Sequence, residues 1–394
     1  EFVGVVIDAQ NTQALCITTD STNPVSAVTL TGVKLLNPTN SFISGAHTGD
    51  VTIRSNFEMV ATSLSQSGIT LTSDQTGTVS ISDGTITISE TSNDSRYAIN
   101  IAPSVDGKDV VVSNVQINQT TATTARQLRG IRALNAETVA ISDCTIIQSG
   151  NTLGASTGIE VPLNSVAATD SCQIDGNTVT VVGSSGYGII IGSDAATSPA
   201  DANSITTPKA YDNTVTAADS AHCVMAGWVT SAELYRNEAY NGNIGLLLKG
   251  CTDSTVYFNL SKDVGTSGAL RAKAGSGCAF YNNTVILTTE GSIGQYATDT
   301  STDVVYKNNL IYSTQTAPFF VNIETGSTIS AINYNSYYST NATTDAWENA
   351  GTAYSTLGAW QTAVSDEAGS IGTDPLLNSD GTLQAGSPCI DTGV

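Results

Sequence analysis

Apolar and polar residues alternate with a period of two in short runs that recur from one end of the chain to the other. Val139-Ala140-Ile141-Ser142 and Ser254-Thr255-Val256-Tyr257 are typical, as are Asn177-Thr178-Val179-Thr180-Val181 and Asn283-Thr284-Val285-Ile286-Leu287. A period of two sends successive side chains to opposite faces of an extended backbone, so each run predicts a strand with one buried face. A third kind of run lies upstream and opens on glycine: Gly130-Ile131-Arg132, Gly158-Ile159-Glu160, Gly188-Ile189-Ile190 and Gly245-Leu246-Leu247.

Between the runs an asparagine or close substitute returns at Asn56, Asp83, Asn114, Asp143, Asn177, Asn213, Asn237, Asn259, Asn283, Asn309 and Asn335, with Gly32 as an earlier member. A fixed return of this length predicts a solenoid, whose units bury their apolar faces only by stacking. Asn, Asp and Gly tolerate the left-handed backbone of a sharp corner, and Asn side chains can hydrogen-bond along a stack. Three strands per turn with such corners predict an all-β parallel β-helix of about 11–12 coils over residues 1–338. Ser165–Ser171 and Ser193–Lys209 are surplus within the longest coils and predict projecting loops. Past Asn335 the repeat fails. A short helix over Ser355–Ala363, with Ser355 as N-cap, and a clamp-like hairpin predict a capping segment over residues 339–394.

Composition agrees with many short strands: of 394 residues, 12% are charged and 35 are glycine. The 35 acidic and 14 basic residues leave a net charge of −21, which argues against nucleic acid or an anionic membrane surface as partner. No stretch has the length and apolarity of a membrane span. The seven cysteines form no CxxC pair and no metal-ligand spacing with His47 and His222, so buried free thiols are expected rather than bridges. The chain opens in strand-like sequence at Glu1-Phe2-Val3 and reads as a mature or trimmed chain.

On so acidic a background, basic clusters stand out. Arg126, Arg129 and Arg132 form one; Lys249, Lys262, Arg271 and Lys273 form another. Aligning the glycine-led strands turns Ile131 and Leu246 inward and Arg132, Glu160, Ile190, Val224 and Leu247 outward. Lys249 follows Leu247 on the same side. Lys249 and Lys273 stand at equal distance before Asn259 and Asn283, which predicts vertical neighbours, with Arg271 on the same strand as Lys273. Cations so grouped repel one another unless an anion lies among them. A uronate polymer fits, because its carboxylate must be neutralised before the adjacent proton can be removed by a base. The plain alternative is surface pairing with Asp253, Glu233 or Glu160, which contributes little. Tyr235, Tyr257 and Tyr281 each precede a ladder Asn by two and predict a ring stack that either offers sugars a platform or stabilises the sheet. His222, near Trp228, is an auxiliary candidate. Hydrolysis would need facing carboxylates, for which Glu160, Asp194, Glu233 and Asp253 are candidates.

The tail carries a resemblance. Asp374-Pro375-Leu376-Leu377, Asp380-Gly381-Thr382-Leu383-Gln384 and Gly386-Ser387-Pro388-Cys389-Ile390-Asp391-Thr392-Gly393 resemble the closing segment of secreted right-handed β-helix repeat proteins of the pectin-lyase-like superfamily. That resemblance implies a right-handed coil, a secreted or extracellular setting and a bias to carbohydrate. The spacing of Lys249 and Arg271 is similar to the Lys/Arg pair of polysaccharide lyase family 6. In that family the Lys is the base, the Arg the acid, and a calcium ion often holds the uronate. Where Arg-His-Gly often follows there, this chain has Arg271-Ala272-Lys273, and no acidic calcium cluster is assignable. The expectation is a protein that binds or cleaves an acidic polysaccharide or cell-surface glycan, by β-elimination if it is an enzyme. Lys249 and Arg271 would be catalytic. Lys273, Tyr257, Tyr281, Tyr235, Arg132, Glu160 and His222 would bind substrate, and no residue is assigned to a metal. Two alternatives stand beside it: a non-enzymatic glycan-binding or structural shaft such as a tail-fibre segment or adhesin, monomeric or homotrimeric, and a glycoside hydrolase.

Overall fold

A computed structural model describes residues 1–10, 15–18, 27–45, 49–62, 64, 67–71, 77–90, 96–102, 107–121, 127–150, 154–163, 169–183, 185–195, 205–218, 220–342, 344 and 346–390. They form an all-β parallel β-solenoid of about 11 turns with one short helix near the C-terminus. No helix among them is long and apolar enough to cross a membrane. The chain divides into two compact units, Glu1–Ser193 with Pro199–Ala221, and Asp194–Ser198 with His222–Val394. In each, a regular turn gives two strands to one parallel sheet and one to another.

In the first unit, registered columns such as Val112, Ile141 and Ile174 fill the interior with β-branched side chains. The glycine-led strands show why glycine opens them. Gly130 and Ile131 are both buried, so two successive positions face inward within the strand Leu128–Ala133. A Cβ on Gly158 would lie 2.3 Å from Val179 Cγ1 and 2.5 Å from the Gly188 carbonyl oxygen. Only glycine lets the next turn approach so closely.

The corner resolves into two columns where the sequence predicts one series. Asn56, Asp83, Asn114 and Asp143 have φ between +51° and +62° and stand at the left-handed corner itself. Of the residues that directly follow them, Phe57, Val115 and Cys144 are buried. The Cys144 amide donates to Asn177 Oδ1 (2.9 Å) and the Asn177 amide to Asn213 Oδ1 (3.0 Å), so Asn177 shares its column with Cys144, not with Asp143. Asn and Asp suit both positions, one for backbone freedom and the other for hydrogen bonding, and a sequence alignment merges them.

In the second unit the corner column is Arg236, Phe258, Asn282, Asn308 and Tyr334, all at φ between +52° and +57°. The inner column is Asn237, Asn259, Asn283, Asn309 and Asn335, all buried. Each Nδ2 donates to the Oδ1 of the next, at 3.0, 2.9, 2.9 and 3.3 Å, and each backbone amide donates to that oxygen as well. The column closes when the Asn335 amide donates to Ser370 Oγ (2.8 Å).

Ser370 belongs to the tail. The helix Leu357–Val364 is capped by Thr356, whose hydroxyl accepts from the Ala359 amide, rather than by Ser355 as the sequence suggests. Trp360 is fully buried against Tyr354, which lies in the one antiparallel strand pair described. Leu377 and Leu383 bridge a hairpin whose Asp380 carboxylate accepts from the Thr382 amide (3.0 Å) and hydroxyl (2.6 Å). The tip, Gly381, rests against Leu260 and Ile286. Of the predicted loops, only residues 169–171, 193–195 and 205–209 are described.

Cys144, Cys172, Cys223, Cys251, Cys278 and Cys389 are free, and all but Cys389 are buried. Burial pushes the Cys144 and Cys172 thiols up to about 12 and Cys251 to about 11, which makes them inert small hydrophobes.

Candidate functional site

In the second unit, the strand Ile244–Lys249 pairs with Leu270–Lys273 so that Leu247 lies beside Arg271 and Lys249 beside Lys273. The predicted vertical pair is therefore formed. The alignment needs one correction: Val224 registers with the inward Leu246, and Met225, not Val224, takes the place beside Leu247. Cys223 occupies the glycine position of that strand, which hides the register from a glycine-based alignment.

Lys249 differs from its expected exposure and partners. It is only 8% exposed, and its ammonium donates to the Asp194 carbonyl oxygen (2.5 Å) and to Asp194 Oδ1 (2.5 Å). Trp228 Nε1 donates to the neighbouring Ala195 carbonyl (2.8 Å), so two side chains hold Asp194 and Ala195. Lys273 pairs with Asp299 at 3.2 Å, with both side chains partly in water. Asp253, Glu233 and Glu160, the partners suggested by sequence, are not used by either lysine: Asp253 sits at a left-handed corner (φ +48°) and Glu233 accepts from the Tyr257 hydroxyl (3.1 Å).

Arg271 is half-buried and held in place. Its guanidinium lies 4.8 Å from the Tyr296 ring centroid, and its terminal nitrogens donate to the Ser267 carbonyl (3.3 Å) and Thr298 Oγ1 (3.2 Å). Tyr296 registers with Arg271 one turn on and donates from its hydroxyl to Glu324 Oε1 (2.5 Å). Burial and the Glu324 carboxylate push that phenol up to about 12. Sequence reasoning missed Tyr296, although carrying the Arg271 register forward by one turn finds it.

His222 completes the group. Burial is the main cause of its pKa falling to about 4; Arg271, Lys249 and Lys273 lower it further, and Asp194 opposes them. At neutral pH the imidazole is uncharged among three cations and an aspartate. The chemistry assembled here is a clamped guanidinium, a displaceable lysine and a neutral imidazole on one face.

Calcium does not fit this face. Asp194 is committed to Lys249, Asp299 to Lys273 and Glu324 to Tyr296, and no group of three suitable ligands occurs among the described residues.

The tyrosines lie elsewhere. Tyr235, Tyr257 and Tyr281 register as predicted but belong to the sheet that takes two strands per turn, not the sheet that carries Lys249, Arg271 and Lys273. Tyr235 and Tyr257 stack at 4.9 Å and 8°, while Tyr257 meets Phe258 edge-on at 5.6 Å. Tyr281 shares the column without joining the stack.

Arg132 and Glu160 register in the first unit, within a network of their own. The Tyr97 hydroxyl donates to Glu160 Oε2 (2.5 Å) and accepts from Arg129 Nη1 (2.5 Å), and the guanidinium carbons of Arg129 and Arg132 lie 5.2 and 5.6 Å from its ring centroid. Burial, then Glu160, pushes Tyr97 up to about 12. Arg126 lies outside the described residues. Of the carboxylates considered for hydrolysis, Glu160 accepts from Tyr97, Asp194 holds Lys249 and Glu233 accepts from Tyr257.

No protein-family model matches the chain, and neither curated proteins nor solved structures give a significant match.

Proposed function

We propose that the chain binds an extended acidic polysaccharide, outside the cell, along the face of the second unit that carries Arg271 and Lys273. The observation behind this reading is the registered pair Lys249–Lys273 with Arg271 on the same strand, in a chain of net charge −21. Arg271 is fixed before any ligand arrives, so little side-chain freedom is lost when it meets a carboxylate. The Lys273–Asp299 pair is water-exposed and exchanges for a ligand carboxylate at small cost. His222, uncharged, adds a hydrogen-bonding group without further repulsion among the cations.

Binding is favoured over β-elimination because Lys249 has its ammonium committed to Asp194 and covered from solvent. In this reading Lys249 is a strut that anchors the stretch at Asp194, and it leaves the role of base unfilled. A non-enzymatic glycan-binding shaft accommodates the same geometry.

Affinity electrophoresis in gels containing alginate, chondroitin sulfate or pectate tests the reading. Retardation by at least one polymer is expected at low salt, weakening as salt rises. Arg271→Ala and Lys273→Ala should each weaken it about five- to tenfold. Retardation by none of the three, or retardation untouched by both substitutions, removes the proposal. Ultraviolet absorbance from unsaturated sugar ends, lost in Lys249→Ala, would restore elimination.

A further inference from the structure

The corner column of the second unit contains a residue that folding does not explain. Phe258 has φ +56°, where asparagine or glycine is at ease and an aromatic side chain is not. Asn282 and Asn308 occupy the equivalent positions on the following turns. Nor does Phe258 gain by burial, for it is 58% exposed, more than any other large hydrophobic side chain among the described residues but Val3 and Val6. Backbone preference and hydrophobic burial both oppose phenylalanine here.

Its surroundings suggest what it meets. Phe258 and Asn282 border two grooves between the corner column and the tail. One, of about 270 Å³, also takes Asn308, Tyr334, Leu383 and Cys389; the other, of about 350 Å³, takes Arg236, Glu238, Asp380 and Thr382. The floor therefore reads aromatic, amide, amide, aromatic over four successive turns. At about 4.8 Å per turn, Phe258 and Tyr334 stand roughly 14 Å apart along it.

The parts are rigid. Each corner residue adjoins the buried amide column, fixed by its hydrogen bonds. The wall is the hairpin closed by Leu377 and Leu383, with Asp380 bonded to Thr382. The Tyr334 ring lies over Gly369, where a Cβ would come within 2.5 Å of its Cε1.

We infer that this groove is a second carbohydrate site, which takes a short stretch of a neutral glycan. The ring faces of Phe258 and Tyr334 receive the C–H faces of sugar rings. The amides of Asn282 and Asn308 and the hydroxyl of Thr284 exchange hydrogen bonds with sugar hydroxyls. Glu238 and Asp380 beside them disfavour uronates, and Arg236 already lies over the Tyr235 ring at 4.7 Å. The site goes beyond the cationic face and does not depend on it.

Titration calorimetry on the full chain with cellohexaose, xylohexaose, mannohexaose, maltohexaose and polygalacturonate tests the inference. At least one neutral hexasaccharide should bind. Phe258→Asn should weaken that binding about tenfold or more, while its thermal midpoint equals or exceeds the parent's, because asparagine suits the backbone. Phe258→Tyr should retain binding, and Arg271→Ala should leave it unchanged, which separates this site from the cationic face. The inference is overturned if no neutral hexasaccharide binds, if Phe258→Asn binds as the parent does, or if only polygalacturonate responds to Phe258→Asn.

Discussion

Glu367→Ala should destabilise the second unit by about 3–5 kcal/mol, among the largest effects of any single substitution in the chain. Glu367 is fully buried and accepts from the Tyr337 hydroxyl (2.7 Å), Trp360 Nε1 (3.2 Å) and the Ser370 hydroxyl. Alanine leaves the buried Trp360 and Ser370 donors without an acceptor, leaves the Tyr337 hydroxyl only its longer bond to Gln295 Oε1 (3.3 Å), and opens a cavity beneath the helix. It also frees Ser370, the group on which the asparagine column ends. All three tryptophans, Trp228, Trp347 and Trp360, lie in this unit, so thermal unfolding followed by tryptophan fluorescence reports it alone. An unchanged midpoint would show that the tail is not coupled to the turns it covers.

The same carboxyl gives a pH dependence. Burial raises its pKa above the ordinary 4.5, with the three donors partly opposing. A carboxyl protonated more readily when folded favours folding below its unfolded pKa and loses that contribution as pH rises through the folded value. Glu367→Gln stays neutral throughout. Relative to the Gln variant, the parent should therefore lose stability as pH rises above about 4.5. A parent that gains on the variant over that range would reverse the assigned sign.

The second large effect separates neighbours in sequence. Asn283→Ala should cost about 3 kcal/mol or more. Its Nδ2 donates to Asn309 Oδ1 and the Val256 carbonyl (both 2.9 Å), and its Oδ1 accepts from the Asn259 amide (3.1 Å) and side chain (2.9 Å). Asn282→Gly should change stability by less than about 0.5 kcal/mol, because glycine adopts the left-handed corner freely. Chemical denaturation of the two variants measures the contrast. Equal losses would mean that the corner and the buried column are not distinct.

That contrast also marks how far the chain was legible before its coordinates. The repeat, the three strands per turn and the pairing of Lys249 with Lys273 all follow from periodicity. Periodicity reports which residues share a column, and it worked wherever the column was regular. It failed at the corner, where Asp143 and Asn177 look alike but differ by one position, and at Cys223, which replaces the glycine that sets the alignment. The ionic partners were beyond its reach. Asp194 meets Lys249 across a loop, and a loop has no period to read. Phe258 was invisible for a related reason, since its interest lies in a backbone angle.

The amide column also governs how the second unit could change in size. Each asparagine reads only the turn adjacent to it, so the architecture admits gain or loss of material in whole turns. Excising residues 260–283 would bring Asn259 directly to Asn309 and restore every contact of the seam. Excising one residue fewer would turn the following strand inside out. The seam of amides counts turns, whatever the length of chain between its asparagines.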